Sequence, residues 1–269
     1  MSKNSNGSNA GNYLFGDNTD DREYMRLVAL QEAHDPATER LLLQIGLGPS
    51  QACVEIGAGE GSIARYMASV VGTRGHVVAI DINPRFMNTA SLVQLEVRQC
   101  DVTTDPLERG ACDLVHARFV LLHVQNLVAA IDNISQALKP GGVVLFEEPD
   151  FRMAFPATDH EGINRSIANV NAAILAMYRT KDPSFALGLP NDLVRRGFIG
   201  VGATTYLPLE RGRSAIARIM GMSVMHLRGK LTATGVASDE DIDRYIAAAD
   251  DPRVWATYYA TISTWGKRP

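Results

Sequence analysis

The chain has 269 residues, 46% of them hydrophobic and 21% charged, with a net charge of −4. That length can bury a full core, as one α/β domain with additions or as two small domains. The acidic balance argues against electrostatic capture of nucleic acid, and the absence of a run of about 18 apolar residues leaves no membrane span to expect.

Residues 1–12 are rich in Ser, Asn and Gly and hold no apolar stretch, which reads as a disordered tail and not as a secretory signal. From Asp21 to Ile45 the pattern is helical: Tyr24, Leu27 and Val28, then Leu41, Leu42 and Ile45, recur at helix spacing. A break is expected near Asp35-Pro36 and an end at Gly46 and Gly48-Pro49. Helices ahead of a first strand can lie over the C-terminal edge of a sheet as a lid.

Cys53 to Ile56 reads as a buried parallel strand, followed at once by Gly57, Gly59 and Gly61 and then by a helix from Ser62 with Ile63, Tyr66 and Met67 on one face. Strand, glycine turn and helix open a βαβ unit in which a ligand approaches bare backbone, and the helix N-terminus offers N–H donors. The dinucleotide fingerprint needs its third glycine at position 62, where this chain has Ser62. Glu55, two residues before the first glycine, suits a cationic or zwitterionic ligand better than a pyrophosphate. His76 to Ile82 is a second strand closed by Asp81, placed to bind both hydroxyls of a ribose, and Pro84 is expected to open the next helix. Leu95 to Cys100 is a third strand, followed by Asp101-Val102. Ala111 to Ala117 is a fourth, followed by Arg118 and the apolar segment Phe119 to Val124. An amphipathic helix over 128–138 stops at Lys139-Pro140-Gly141-Gly142, and Val143 to Glu148 is strand five. Cys53, Cys100 and Cys112 all fall in or beside these strands, as small buried hydrophobes in a reducing cytoplasm do. No C-x-x-C, H-E-x-x-H or spaced carboxylate cluster is present, so no metal is expected.

The series Glu55-x-Gly57-x-Gly59-x-Gly61, then Asp81, Asp101 and the run Leu-Lys-Pro-Gly-Gly-Val-Val-Leu-Phe at 138–146, resembles the class I S-adenosylmethionine-dependent methyltransferases over about residues 52–150. The resemblance implies a Rossmann-like α/β fold with a seven-stranded, mostly parallel sheet and helices on both faces, and S-adenosyl-L-methionine as cofactor. It places Glu55 near the methionine end, Asp81 and Ile82 at the ribose, and Asp101 at the adenine amine with the Val102 backbone alongside. His116 and Arg118 would sit beside the sulfonium, and Tyr13 and Arg26 on the lid would reach the cofactor carboxylate. His116 is then a cofactor contact, a base or a buried core histidine.

Beyond Asp150 no family motif is visible. Helices are expected over 163–179, 191–196, 214–227 and 239–249, strand six over 201–209, and a last strand over 257–265. The expected organisation is a tail (1–12), a helical lid (13–49), a cofactor-binding core (50–150), a helical substrate cover with strand six (151–235) and a closing helix and strand (236–269). Transfer of a methyl group needs an in-line acceptor, exclusion of water and, for a protonated acceptor, a proton sink. Glu147 and Glu148 point to opposite faces of their strand; Glu148 and His160 are the favoured bases, with His116, Asp150 and His226 as further candidates. The resulting expectation is a cytoplasmic enzyme that methylates an N, O or C nucleophile of a small molecule, in natural product biosynthesis, without nucleic acid or membrane partners. The segment Ala117-Arg118-Phe119-Val120 stands where planar-amine methylases carry Asn-Pro-Pro-Tyr. A homodimer contact through the lid or residues 151–235 is open. So are two alternatives: a binding protein that lacks transfer or uses the sulfonium for a rearrangement, and a nicotinamide oxidoreductase, which has no use for Glu55 or Asp101.

Overall fold

A computed structural model describes residues 20–87, 92–178 and 182–269. In chain order the elements are α1 (Asp20–Gln44), β1 (Ala52–Ile56), α2 (Ser62–Val71), β2 (His76–Asp81), β3 (Leu95–Gln99), β4 (Cys112–Arg118), α3 (Leu127–Ala137), β5 (Leu138–Asp150), β6 (Phe155–Ala157), α4 (Glu161–Met177), α5 (Phe185–Arg195), β7 (Ile199–Tyr206), β8 (Glu210–Arg211), α6 (Ala215–Thr232), α7 (Asp239–Asp250), β9 (Trp255–Thr257) and β10 (Ala260–Lys267). Seven strands form one sheet in the order β3-β2-β1-β4-β5-β10-β7. The first five run parallel, and β10 is antiparallel to both its neighbours. This is the expected Rossmann-like α/β architecture. The strand order reverses between β1 and β4, so the crevice outside their carboxyl ends is where such a sheet accepts a ligand.

Alternation along the strands sends Val54, Ile56, Val115, Ala117, Val144 and Phe146 to one face, against Ile131 and Ile134 of α3 and Leu189 and Leu193 of α5. Cys53, Leu114 and Leu145 go to the other, against Leu41 and Leu42 of α1 and Ile63 and Met67 of α2. Burial pushes the Cys53 thiol up to about 12 and the Cys112 thiol up to about 11, so neither ionises at neutral pH. A third core gathers α4, α6 and α7 around Tyr245, Tyr258 and Tyr259.

The structure departs from the sequence reading in several places. α1 runs unbroken through Pro36. An interior proline costs a helix about 3 kcal/mol, but Ala29 and His34 before it and Thr38, Leu41 and Leu42 after it are all buried, and that packing holds the helix together. Its inward face also differs from the expected one: Tyr24 and Val28 are exposed, while Glu23, Arg26, His34 and Thr38 face inward. Strand β5 begins at Leu138, with a register shift that sets Cys112 opposite Leu138 but Leu114 opposite Val143. The glycines at 141 and 142 absorb that shift, Gly141 with φ +82. Pro84 to Met87 make a turn closed by Met87 N–H donating to the Pro84 carbonyl at 3.0 Å; the remainder of the helix expected there reaches beyond the described residues. The last expected strand is two strands, β9 and β10, separated by Tyr258 and Tyr259. β9 joins β6 and β8 in a separate three-stranded sheet that strands of two and three residues gave no periodicity to reveal.

Candidate active site

A cavity of ≈ 430 Å³ opens over the C-terminal ends of β1 to β4. The turn after β1 forms one wall, with Gly57 at φ +66 and Gly59 at φ +57. Side chains rarely adopt that backbone, and a Cβ on Gly57 would lie 2.2 Å from a methyl of Val120. The glycine therefore lets the turn after β4 close on the turn after β1, with both on the cavity wall. Asp81, at the tip of β2, accepts the Gly59 N–H at 3.0 Å and the Asn83 N–H at 2.8 Å. Burial pushes its carboxyl above the usual range, against the pull of those two N–H groups. Asp101, at the tip of β3, accepts the Thr103 N–H at 2.9 Å and its hydroxyl at 2.6 Å. Ile82, Val102, Phe86 and Val124 supply apolar wall. Arg26 reaches the cavity from α1, with its guanidinium donating to Glu23 at 2.9 and 2.6 Å; both side chains are buried.

Glu55 faces the opposite way from its strand neighbour Ile56, which is on the cavity wall. It lies on the α1 side of the sheet, directly across from His116 in the pairing of β1 with β4. His116 is fully buried; its Nδ1 lies 2.6 Å from Glu55 and its Nε2 3.1 Å from Glu147. A carboxylate only accepts, so both ring nitrogens must donate and the ring is an imidazolium. Burial opposes that charge, but the Glu55 carboxylate and the hydrogen bonds to both acids outweigh it and hold the ring at about 9. Burial likewise raises Glu147, yet the His116 bond and charge, Arg118 and the Thr38 hydroxyl bring it down to about 2. The Thr38 hydroxyl donates to Glu147 at 2.6 Å and accepts from Arg118 at 2.8 Å, Arg118 donates to Asp35 at 2.6 Å, and Ser263 donates to Glu147 at 2.8 Å. One connected network thus ties the tips of β1, β4, β5 and β10 to the middle of α1.

Of the expected site residues, Arg26, Gly57, Gly59, Asp81, Ile82, Asp101, Val102 and Arg118 meet at the cavity. Four others are not on its wall. Glu55 and His116 are bonded to each other beneath it, and an imidazolium already donating from both nitrogens has no lone pair with which to act as a base. Glu148 is fully buried and accepts the N–H groups of Val120, Leu121 and Leu122 at 3.1, 2.7 and 3.2 Å, a carboxylate that caps the 3-10 turn after β4. His160 is exposed at the start of α4, in a separate surface depression beside Trp255 and Arg253. Tyr13 lies outside the described residues. Asp150 is bound to Arg152 at 2.6 Å, and His226 is not on the cavity wall. Sequence reading missed Glu23, Thr38, Phe119 and Glu147. The available signal was the recurrence of Glu23, Arg26, His34 and Thr38 at helix spacing, a polar stripe on a helix expected to bury its apolar one. Among the described residues, no group of three or more His, Cys, Asp or Glu side chains is placed to hold a metal ion, and no helix is long and apolar enough to cross a membrane.

Residues 54–146 match the family described as "Methyltransferase domain". A methyltransferase of Strobilurus tenacellus is 31% identical over 140 residues, which cover 52% of this chain and 50% of the relative. Phosphoethanolamine N-methyltransferase 1 of Zea mays is 31% identical over 119 residues, covering 41% of this chain and 23% of the relative. The chain thus spans half or less of the length of these curated relatives. Among solved structures, a SAM dependent methyltransferase from Aquifex aeolicus superposes with a TM-score of 0.51 at 14% identity, covering 93% of this chain and 100% of that one. At that identity the likeness establishes the fold.

Proposed function

We propose that this chain, which carries a class I S-adenosylmethionine-dependent methyltransferase domain, moves a methyl group from S-adenosyl-L-methionine to a nucleophile of a small molecule. The observation that carries the reading is the opening of Asp81 and Asp101, from the tips of adjacent strands, onto the same cavity as the Gly57–Gly59 turn. The residues fit the cofactor chemically. Asp81 has the acceptor oxygens that a ribose diol needs, Asp101 can take an exocyclic amine, and Val102 and Phe86 offer apolar surface to a purine. When bound, the cofactor supplies a methyl group on a sulfonium, already a good leaving group.

The chain's own contribution is positioning and exclusion of water. The two turns that meet at Gly57 and Val120 shape the floor, and Glu148 fixes the second turn by accepting three successive N–H groups. The network around His116 anchors α1 over the strand tips, so Arg26 is held at the cavity with its charge offset by Glu23. A small acceptor fits the net charge of −4, which gives a polyanion no electrostatic pull. Titration calorimetry against S-adenosylmethionine, S-adenosylhomocysteine and NAD tests the reading. The first two should bind and NAD should not. Asp81→Ala, which removes two charge-assisted hydrogen bonds of at least ~1.5 kcal/mol each, should weaken binding by about a hundredfold. Tight NAD binding, or no effect at Asp81, would sink it.

A further inference from the structure

A second, smaller chamber adjoins the first cavity where Arg26, Leu30, Phe119 and His123 line both. Its far wall comes from α4, α6 and the turn after β5. Phe119 sits at the junction with φ +57, an uncommon backbone for a bulky residue. We infer that this chamber receives the acceptor, and that the acceptor is a neutral, largely apolar molecule whose polar oxygen is held by the Tyr259 hydroxyl. The inference rests on the cofactor reading above and names the substrate class for the same site.

Three observations carry it. The wall is hydrocarbon and ring: Leu122, Phe151, Ile174, Met220, Val224 and Leu227 dominate it. Among the described residues no carboxylate side chain lines the chamber, and its one guanidinium, Arg26, is already met by the buried Glu23. A protonated amine would leave water for a place without a counter-charge, at a cost of several kcal/mol, and a multiply charged anion would compete with Glu23 for Arg26. Finally, of the polar side chains on the wall, which also include His123, Tyr178 and Ser223, Tyr259 is held in place on several sides. Tyr259 is 3% exposed, its ring stands edge-on to Phe119 and Phe151 at 5.8 and 5.7 Å, and its hydroxyl lies 2.7 Å from His34 Nε2. Burial, helped by Arg118, keeps His34 neutral down to about 3, and burial keeps Tyr259 a phenol. A hydroxyl that shares one hydrogen bond with an imidazole keeps capacity for another, and a hydroxyl or carbonyl oxygen of the acceptor matches it.

The test uses the full chain saturated with S-adenosylhomocysteine and titrated with two probes of similar shape, 4-ethylphenol and protonated 4-ethylbenzylamine. The phenol should bind at least tenfold more tightly. Tyr259→Phe, with its folded near-UV circular dichroism retained, should weaken phenol binding three- to tenfold. Ser223→Asp, which brings a carboxylate to the wall, should shift the preference toward the amine and gives a second reading if Tyr259→Phe misfolds. Equal or tighter binding of the amine by the parent chain, no binding of the phenol, or indifference to both substitutions overturns the inference while S-adenosylhomocysteine still binds. Failure of S-adenosylhomocysteine itself to bind removes the cofactor reading and this inference together.

Discussion

Near the strand tips the two faces of the central sheet are built on opposite chemistry. Toward α3 and α5 the residues are Val54, Ile56, Val115, Ala117, Val144 and Phe146, apolar along the strands, with one buried acid, Glu148, that accepts three backbone N–H groups. Toward α1 the lower half is equally apolar, but the upper half carries Glu55, His116, Arg118 and Glu147, bonded to one another and to the helix above. The apolar face gains stability roughly in proportion to the area it buries and tolerates volume-conserving change. The charged face depends on His116, because without the imidazolium the buried Glu55 and Glu147 lose the cation they share.

The largest expected effect breaks that set. His116→Leu should lower the unfolding free energy by about 3–5 kcal/mol in denaturant titration, since Glu55 and Glu147 would face each other without the imidazolium between them; a loss below 1 kcal/mol would mean the acids pick up protons at little cost. The same set makes stability depend on pH in two windows. His116 is raised on folding, so its contribution is complete below 6.5 and fades as pH climbs through about 9. Glu147 is depressed, so its contribution is complete above 4.5 and fades as pH falls toward about 2. His116→Leu should flatten the alkaline limb in thermal melts across pH. Glu148→Gln sharpens the contrast: it keeps one acceptor oxygen for three N–H groups, so about 1–3 kcal/mol should be lost, together with cofactor affinity as the turn at Val120 loosens. On the apolar face, Ile134→Val should cost only about 0.5–1.5 kcal/mol. At the small end, His160→Ala should leave methyl transfer unchanged in a product-mass assay.

The same contrast marks what the sequence made legible. Glycines at 57 and 59 and acids at 81 and 101 were legible as a set, and the structure gathers all four on one cavity wall, because sharp turns at strand ends demand particular residues. The doubly wound sheet followed from five β-rich runs separated by helical ones. The direction of Glu55 was hidden: alternation puts it on one face or the other, and only the pairing register with β4 shows that His116 lies opposite. α1 misled for a related reason, since ahead of Leu41 and Leu42 its inward stripe carries Glu23, Arg26, His34 and Thr38 while the apolar residues Tyr24 and Val28 face solvent. The acceptor chamber carried no motif because apolar walls can be made from many residues. Tyr259 was concealed further by a strand that the sequence pattern extended straight through it.

A cation sandwiched between two acids also constrains how such a chain can diverge. Since replacing His116 alone leaves two buried acids without the imidazolium between them, whereas replacing all three with hydrocarbon of similar volume removes the problem at once, a change at 116 should bring changes at 55 and 147 with it. Among sequences with this domain, an apolar residue at 116 is therefore expected to travel with uncharged residues at 55 and 147.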